Sequence, residues 1–256
     1  MDVSVWRRIN PSGVLVIVGF AVAWQLTVSL LAPGQSTVAG PIDVVAALGD
    51  DRVVHDLLVA TAHTSLAALL GWTLALVFGV GVGAWIGYSK AAWIASASSI
   101  DVLRALPPVA LIAPLVLIFG FSISMEVAVI FYGCLWPILV NTALGVRQVP
   151  RQTHEVCATL RLKRAHTLFR VTLPWAAPVI LVGARLALSL AVILAVVSEM
   201  VGNPEGLGYQ IVFSQQALKP GALYLYIVVA GLLALALNAL LVALAGRLRP
   251  IRRRTA

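Results

Sequence analysis

Apolar residues gather along this chain in long uncharged runs, and charge collects in the stretches between them. Six runs stand near 14–32, 66–88, 105–121, 127–146, 176–201 and 222–246, each close to the roughly 20 residues a helix needs to cross the hydrocarbon of a bilayer. The pattern predicts an all-α integral membrane protein of about six transmembrane helices. One membrane domain fills 14–246, between an N-terminal tail at 1–13 and a basic C-terminal tail at 247–256. The third run is interrupted by Pro107, Pro108 and Pro114. Proline in a membrane helix frees carbonyls that neighbours must satisfy, which favours a place inside a bundle or along a pathway. Pro107-Pro108 equally suits a helix start with its fixed φ. In the second run, Gly71, Gly79, Gly81, Gly83 and Gly87 provide grooves for close helix approach, or a hinge.

The connection between the fourth and fifth runs is unusually long. Helix connections commonly take about 2–8 residues, whereas Gly145 to Ala176 spends about thirty, with its core at 147–175. Val156, Leu160, Phe169, Val171 and Leu173 alternate there with charge at helical spacing, predicting one or two short amphipathic helices. Thr153 is the expected N-cap, Glu155 falls in the first turn where the helix dipole favours an acid, and Pro174 is expected to stop the segment. Such helices must bury an apolar side on the membrane surface or in a partner's groove. The charges do not decide between the two.

Composition narrows the class. Of 256 residues, 61% are hydrophobic and 11% charged, and the mean hydropathy is +0.98. A soluble domain carries about 25% charged residues, so soluble enzymes and disordered tails are excluded. The net charge of +8 reports topology rather than nucleic-acid binding. Arg7, Arg8, Lys90, Arg104, the 147–170 cluster and Arg247 to Arg254 fall on one side, against Arg52 and Lys219 on the other. By the positive-inside rule both termini and the long loop are cytoplasmic. The first run follows Trp6-Arg7-Arg8 without a clear small-residue cleavage site, so it is expected as a span and not a removed signal. Cys134 and Cys157 suit neither a disulfide framework nor a metal cluster.

Catalytic signatures are missing from the sequence: no phosphate-binding Gly-x-x-x-x-Gly-Lys-Ser/Thr loop, no Gly-x-Ser-x-Gly elbow and no His-Glu-x-x-His pattern. Ion-driven carriers bury carboxylates at mid-membrane, yet Glu199 is the one acid inside an expected span, near its outer end. It suits either structural pairing or a gate on the substrate path. Arg185, early in the fifth run, is expected to snorkel to the cytoplasmic edge. Trp72, Trp85, Trp93 and Trp136 are expected as packing or interface anchors.

The long loop also carries a resemblance. Glu155-Val156-Cys157-Ala158-Thr159-Leu160, then Phe169-Arg170-Val171-Thr172-Leu173-Pro174-Trp175-Ala176-Ala177-Pro178 and Gly183-Ala184-Arg185-Leu186, resemble the EAA loop of bacterial ABC importer permeases of type I. Ser198-Glu199-Met200, Gly206-Leu207-Gly208-Tyr209, Leu106-Pro107-Pro108 and Trp136-Pro137-Ile138 continue the likeness across about 38–246. The most similar branch is that of sulfonate, taurine and nitrate permeases, with relatives for pyrimidine thiamine precursors and riboflavin.

The resemblance implies a multi-pass subunit of the bacterial inner membrane, without an ATPase site of its own. It would move a small polar or anionic solute by alternating access. It implies four kinds of neighbour: nucleotide-binding ATPase subunits that hold ATP and Mg, a second identical or related permease, an extracytoplasmic solute-binding protein, and membrane lipid; nucleic acid is not among them. No cofactor is expected on this chain. Coupling to the ATPase would fall to Glu155, Ala158, Thr159, Leu160, Arg161, Lys163, His166 and Phe169, with Leu173, Pro174 and Gly183 anchoring the loop and Phe169 assisting; Glu199, Met200 and Pro108 would border a gate or substrate path. The outer stretch 202–209 would cap the cavity and meet the binding protein.

One departure stands out. Arg161 occupies the place of the family's glycine between the two short helices. Glycine permits φ > 0 at little cost, so the arginine predicts either that the first helix runs on through it or that the turn moves toward Leu162-Lys163-Arg164. An acidic rim on the ATPase, or a second permease carrying the ordinary loop, would also accommodate it. A membrane scaffold that recruits a cytoplasmic partner without transport is the rival reading of the same amphipathic loop.

Overall fold

The computed structural model describes residues 11–31, 38–201 and 203–247. Most of the expected N-terminal tail (1–10), the C-terminal tail beyond 247, Gly202, and the side chains of His154, Arg164 and Arg247 lie outside the described residues. The described chain is helical: α1 (Pro11–Leu31), α2 (Pro41–Ala46), α3 (Asp51–Tyr88), α4 (Lys90–Ala105), α5 (Ile112–Phe119), α6 (Ile123–Arg147), α7 (Arg151–Thr159), α8 (Arg164–Thr167), α9 (Leu173–Val201), α10 (Gly206–Gln216) and α11 (Pro220–Arg247).

Among the described residues, four helices are long and apolar enough to cross a bilayer: α3, α6, a continuous stretch from Ala165 to Val201 that includes α9, and α11. The expected six spans therefore need correction in detail. The apolar part of α1, Leu15–Leu30, is shorter, and the third run is not one straight helix. Instead α4 meets the Pro108–Phe119 helical segment at a bend of 76°. The cause is local. Leu106 and Pro107 each precede a proline, which disfavours helical ψ, and both sit at ψ 123°. The 89–104 stretch, expected as a connection, is the helix α4, and Trp93 on it carries the guanidinium of Arg147 at 4.7 Å from its ring centroid.

The second run is also longer than its apolar core. Asp50 caps the helix by accepting the Arg52 N–H at 3.0 Å, and α3 then runs 38 residues, about 57 Å at 1.5 Å per residue. Its small residues settle the choice between packing and hinge. Gly71, Gly79, Gly83 and Gly87 stand at helical spacing and face α6, where an added Cβ would meet Ile130, Ile138, the Leu139 carbonyl and the Ala143 carbonyl at 2.6–2.8 Å. The helix shows no break there. Gly81 alone of the five faces open space.

Helix α6 is the centre of the bundle, packed between α3 and α9. Met125, Val129, Ile130, Cys134 and Ile138 from α6 join Ala187, Ala191, Leu194 and Ala195 from α9 in a fully buried core. The Trp72 indole donates to the Ala184 carbonyl at 2.9 Å and ties α3 to α9. The 202–221 stretch, expected as a loop, folds into α10, which inserts Leu207 and Ile211 beside Ala60, Ala222 and Tyr226. Helix α11 keeps its apolar window unburied, as suits a face turned to lipid or to another subunit.

Candidate functional site

At one end of the bundle, the segment after α6 forms a compact projection. Pro150 is the residue that precedes α7, and its carbonyl accepts the Thr153 N–H at 3.0 Å, so Thr153 lies inside the helix and is not its cap. Glu155 consequently falls in the second turn, where Arg151 Nε donates to its Oε1 at 3.1 Å. Val149 and Cys157 turn inward and are buried. Val156 and Leu160, four residues apart on one face, remain 58% and 64% exposed, and Phe169 is 66% exposed.

Arg161 corrects both alternatives drawn from the sequence. The helix neither runs through it nor shifts its turn; Arg161 itself adopts φ 51°. Its N–H donates to the Ala158 carbonyl at 2.9 Å, and the Leu162 N–H to the Cys157 carbonyl at 3.1 Å. That pair of bonds is a Schellman C-cap, whose C′ position is most often glycine. The second short helix, α8, then passes through a five-residue π turn, Leu168–Thr172, in which the Leu173 N–H reaches the Leu168 carbonyl. Pro174 does not end the segment. It sits in the first turn of α9, where a missing N–H costs least.

Leu173 packs, with Leu168, against Ala84, Val146 and Ala176. Phe169 does not share this anchoring, being on the exposed side; Leu168, which the sequence reading passed over, takes that role. Ala158, Thr159, Lys163 and His166 are exposed on the same projection. Gly183 lies ten residues further on, in the α6–α9 contact, where a Cβ would strike Asn141 and the Pro137 carbonyl at 2.7 Å.

Midway along the bundle, a cleft of about 580 Å³ opens between α4, the Pro108 turn, α6 and α9. Its wall is mostly apolar, with Pro108, Val109, Leu190 and Leu194, and it carries three donor-bearing side chains: Arg104, Trp136 and Asn141. Arg104 is paired with Asp101 at 2.9 Å, and Asn141 Nδ2 donates to the Pro137 carbonyl at 2.8 Å. The Trp136 indole N–H is buried without a partner among the described residues. Arg185 lies elsewhere. Its Nε donates to Asn238 Oδ1 at 3.0 Å, tying α9 to α11.

The opposite end of α6 holds a polar cluster in an apolar setting. His63 of α3, Glu126 at the start of α6 and Glu199 at the end of α9 offer donor atoms within 4.8 Å of one another. Both glutamates are fully buried. Asn203 Nδ2 donates to Glu126, the Gly208 N–H donates to Glu199 Oε2 at 2.8 Å, and the Leu207 N–H donates to Thr64 Oγ1 at 2.9 Å. The backbone has to be glycine at two points here. Gly206 has φ +88° under the Glu199 carboxylate, and a Cβ on Gly208 would lie 2.0 Å from the Val196 carbonyl. Met200 points away and is 42% exposed.

Comparison with known proteins agrees with this architecture. Residues 58–254 match the family of binding-protein-dependent transport system inner membrane components. The chain is 29% identical over 253 residues to the nitrate import permease protein of Leptolyngbya laminosa, covering 95% of this chain and 89% of that one. It is 30% identical over 216 residues to a putative aliphatic sulfonates transport permease protein of Escherichia coli, covering 84% and 82%. It is 27% identical over 211 residues to the bicarbonate transport system permease protein of Synechococcus elongatus, covering 77% and 74%. Among solved structures, the inward-facing MetNI methionine ABC transporter aligns with TM-score 0.62 at 15% identity, over 76% of this chain and 98% of that chain, a likeness of fold. The fold and these matches define an ABC-type importer permease. This chain belongs to the binding-protein-dependent transport system inner membrane component family, and is a multi-pass membrane subunit of it.

Proposed function

We propose that the chain forms the membrane pathway of an ATP-driven uptake system for a small anion of the nitrate, sulfonate or bicarbonate kind. Its named relatives carry such solutes. The cleft fits the reading, because Arg104, Trp136 and Asn141 offer donors and no acid lines it. An anion entering an otherwise apolar wall needs such donors to offset its lost hydration.

The observation that carries the proposal is the α7–α8 projection, where Val156, Leu160 and Phe169 are left exposed beside charge. Exposed apolar side chains on a charged helix call for a partner's groove or the membrane surface, and membership of a binding-protein-dependent transport family favours the groove. ATPase subunits, which bind ATP and Mg, would grip this projection, and their closure would tilt α6 and α9 as rigid bodies and shift the bundle between two states. The basic distribution supports cytoplasmic termini and an outward-facing His63 end. A second permease copy or relative would complete the pathway, and a solute-binding protein would deliver the anion near α10.

The test is reconstitution of the permease with its ATPase and binding protein in proteoliposomes. ATP-dependent accumulation of radiolabelled nitrate, taurine or bicarbonate is expected for one of the three. A stable ATPase complex that hydrolyses ATP without moving any solute would support the scaffold reading instead.

A further inference from the structure

The cluster at the outward end is more organised than an ion pair needs. His63 Nδ1 meets Glu205 Oε2 at 2.8 Å, so a proton on Nδ1 is donated to that carboxylate. Nε2 faces the Glu126 oxygens at 3.3 and 3.4 Å. With the single ring proton on Nδ1 these are two acceptors face to face, and the charge between them has to be supplied by a second ring proton or by a metal ion. Glu199 adds the independent sign: it is fully buried, its Oε2 is held by the Gly208 N–H, and its Oε1 has no hydrogen-bond partner among the described residues, the nearby Thr64 hydroxyl donating to the Ala60 carbonyl at 3.0 Å. A buried carboxylate oxygen without a donor leaves its desolvation uncompensated.

We propose that His63 Nε2, Glu126 and Glu199 bind a first-row divalent cation, of which Zn²⁺ is the test case. Ligands about 2.1 Å from one ion stand about 3.0–3.4 Å apart when adjacent. The His63–Glu126 spacing of 3.3 Å falls in this range, and the donor atoms of all three residues lie within 4.8 Å of one another. The remaining polar atoms are arranged as an outer shell. Glu205 fixes the imidazole tautomer as carboxylates do for metal-bound histidines, Asn203 holds one Glu126 oxygen, and Gly208 holds one Glu199 oxygen. An imidazole nitrogen among the ligands argues for a transition-series ion over calcium or magnesium, which take oxygen. Because the ligands come from α3, α6 and α9, the ion would clamp three helices at the end remote from the coupling projection, whichever anion is carried.

The full-length chain, purified in detergent and stripped by chelator, is titrated with Co²⁺ and then Zn²⁺. One equivalent of Co²⁺ per chain, with a visible d–d absorption that Zn²⁺ displaces, is the expected result. Glu205→Gln should keep that stoichiometry and bind about 10–100-fold more weakly, while His63→Gln and Glu199→Gln should lose the spectrum. A monodisperse wild-type chain that takes up no stoichiometric metal overturns the proposal and leaves a shared proton as the counter-charge. So does an unchanged Co²⁺ spectrum in Glu199→Gln. The wild-type titration decides the matter even if a substituted chain fails to fold.

Discussion

The Leu162 N–H donates to the Cys157 carbonyl across Arg161, which stands at φ 51°. An L-residue in this region costs roughly 1–2 kcal/mol, and glycine returns about 0.4–1 kcal/mol of that through the freer unfolded chain. Arg161→Gly is therefore expected to stabilise the α7–α8 turn by up to about 1 kcal/mol and slow exchange of the Leu162 amide by up to about fivefold. Arg161→Ile should quicken it, since β-branched residues tolerate the region least. Hydrogen exchange by mass spectrometry reads both; equal exchange in the two variants would remove the strain argument.

Two glycines two residues apart in α3, and so on opposite faces of the helix, behave oppositely. A Cβ at Gly83 would lie 2.6 Å from the Leu139 carbonyl, whereas at Gly81 it meets nothing within 4 Å. Gly83→Ala should cost about 1–3 kcal/mol by forcing α3 from α6, and Gly81→Ala should be neutral or gain about 0.5–1 kcal/mol of helix propensity. Thermal unfolding of the detergent-solubilised chain checks the contrast.

The hydropathy pattern placed most of the bundle, because a lipid-facing helix must be apolar along its whole length and so announces itself one residue at a time. What stayed hidden depends on partners distant in sequence. His63 lay in a stretch read as an outer connection because Asp51, Arg52, His55 and Asp56 break its hydropathy, although they sit on the exposed end of one continuous α3. Glu126 looked like an outer-loop acid, yet Asn203, 77 residues later, hydrogen-bonds to it in the interior. Glu199 was singled out by its place in an apolar run, but nothing local shows that His63 and Glu126 meet it. The Pro107-Pro108 break was visible; its 76° consequence required knowing that no neighbour straightens it. Arg161 misled because a rare backbone state was discounted where the Schellman bonds impose it.

In the cleft, the Trp136 indole N–H has no partner among the described residues, and the same wall carries Arg104. If it donates to the transported anion, Trp136→Phe keeps an aromatic ring in the wall and removes one charge-assisted bond, worth about 1.5–3 kcal/mol. Uptake at subsaturating solute should fall about tenfold or more, with ATPase activity in the absence of binding protein unchanged. Equal uptake by the two forms would take Trp136 off the path.

The α7–α8 projection offers the sharpest separation of mechanism from stability. Glu155 is exposed and its pairing with Arg151 is an i, i+4 surface contact, worth only about 0.3–0.5 kcal/mol. Leu160 and Phe169 are exposed as well, so replacing them leaves no cavity in the isolated permease. Glu155→Lys, Leu160→Glu and Phe169→Glu are thus expected to leave membrane insertion and thermal stability within about 0.5 kcal/mol of the parent, while abolishing ATPase capture and uptake. Leu173→Glu should do the reverse in order, since Leu173 packs on Ala84, Val146 and Ala176 and its loss unsettles the base of α9 before any partner binds. Pull-down of the ATPase alongside thermal unfolding of each variant distinguishes the two patterns. Full ATPase capture by Leu160→Glu and Phe169→Glu would mean that the partner grips some other surface.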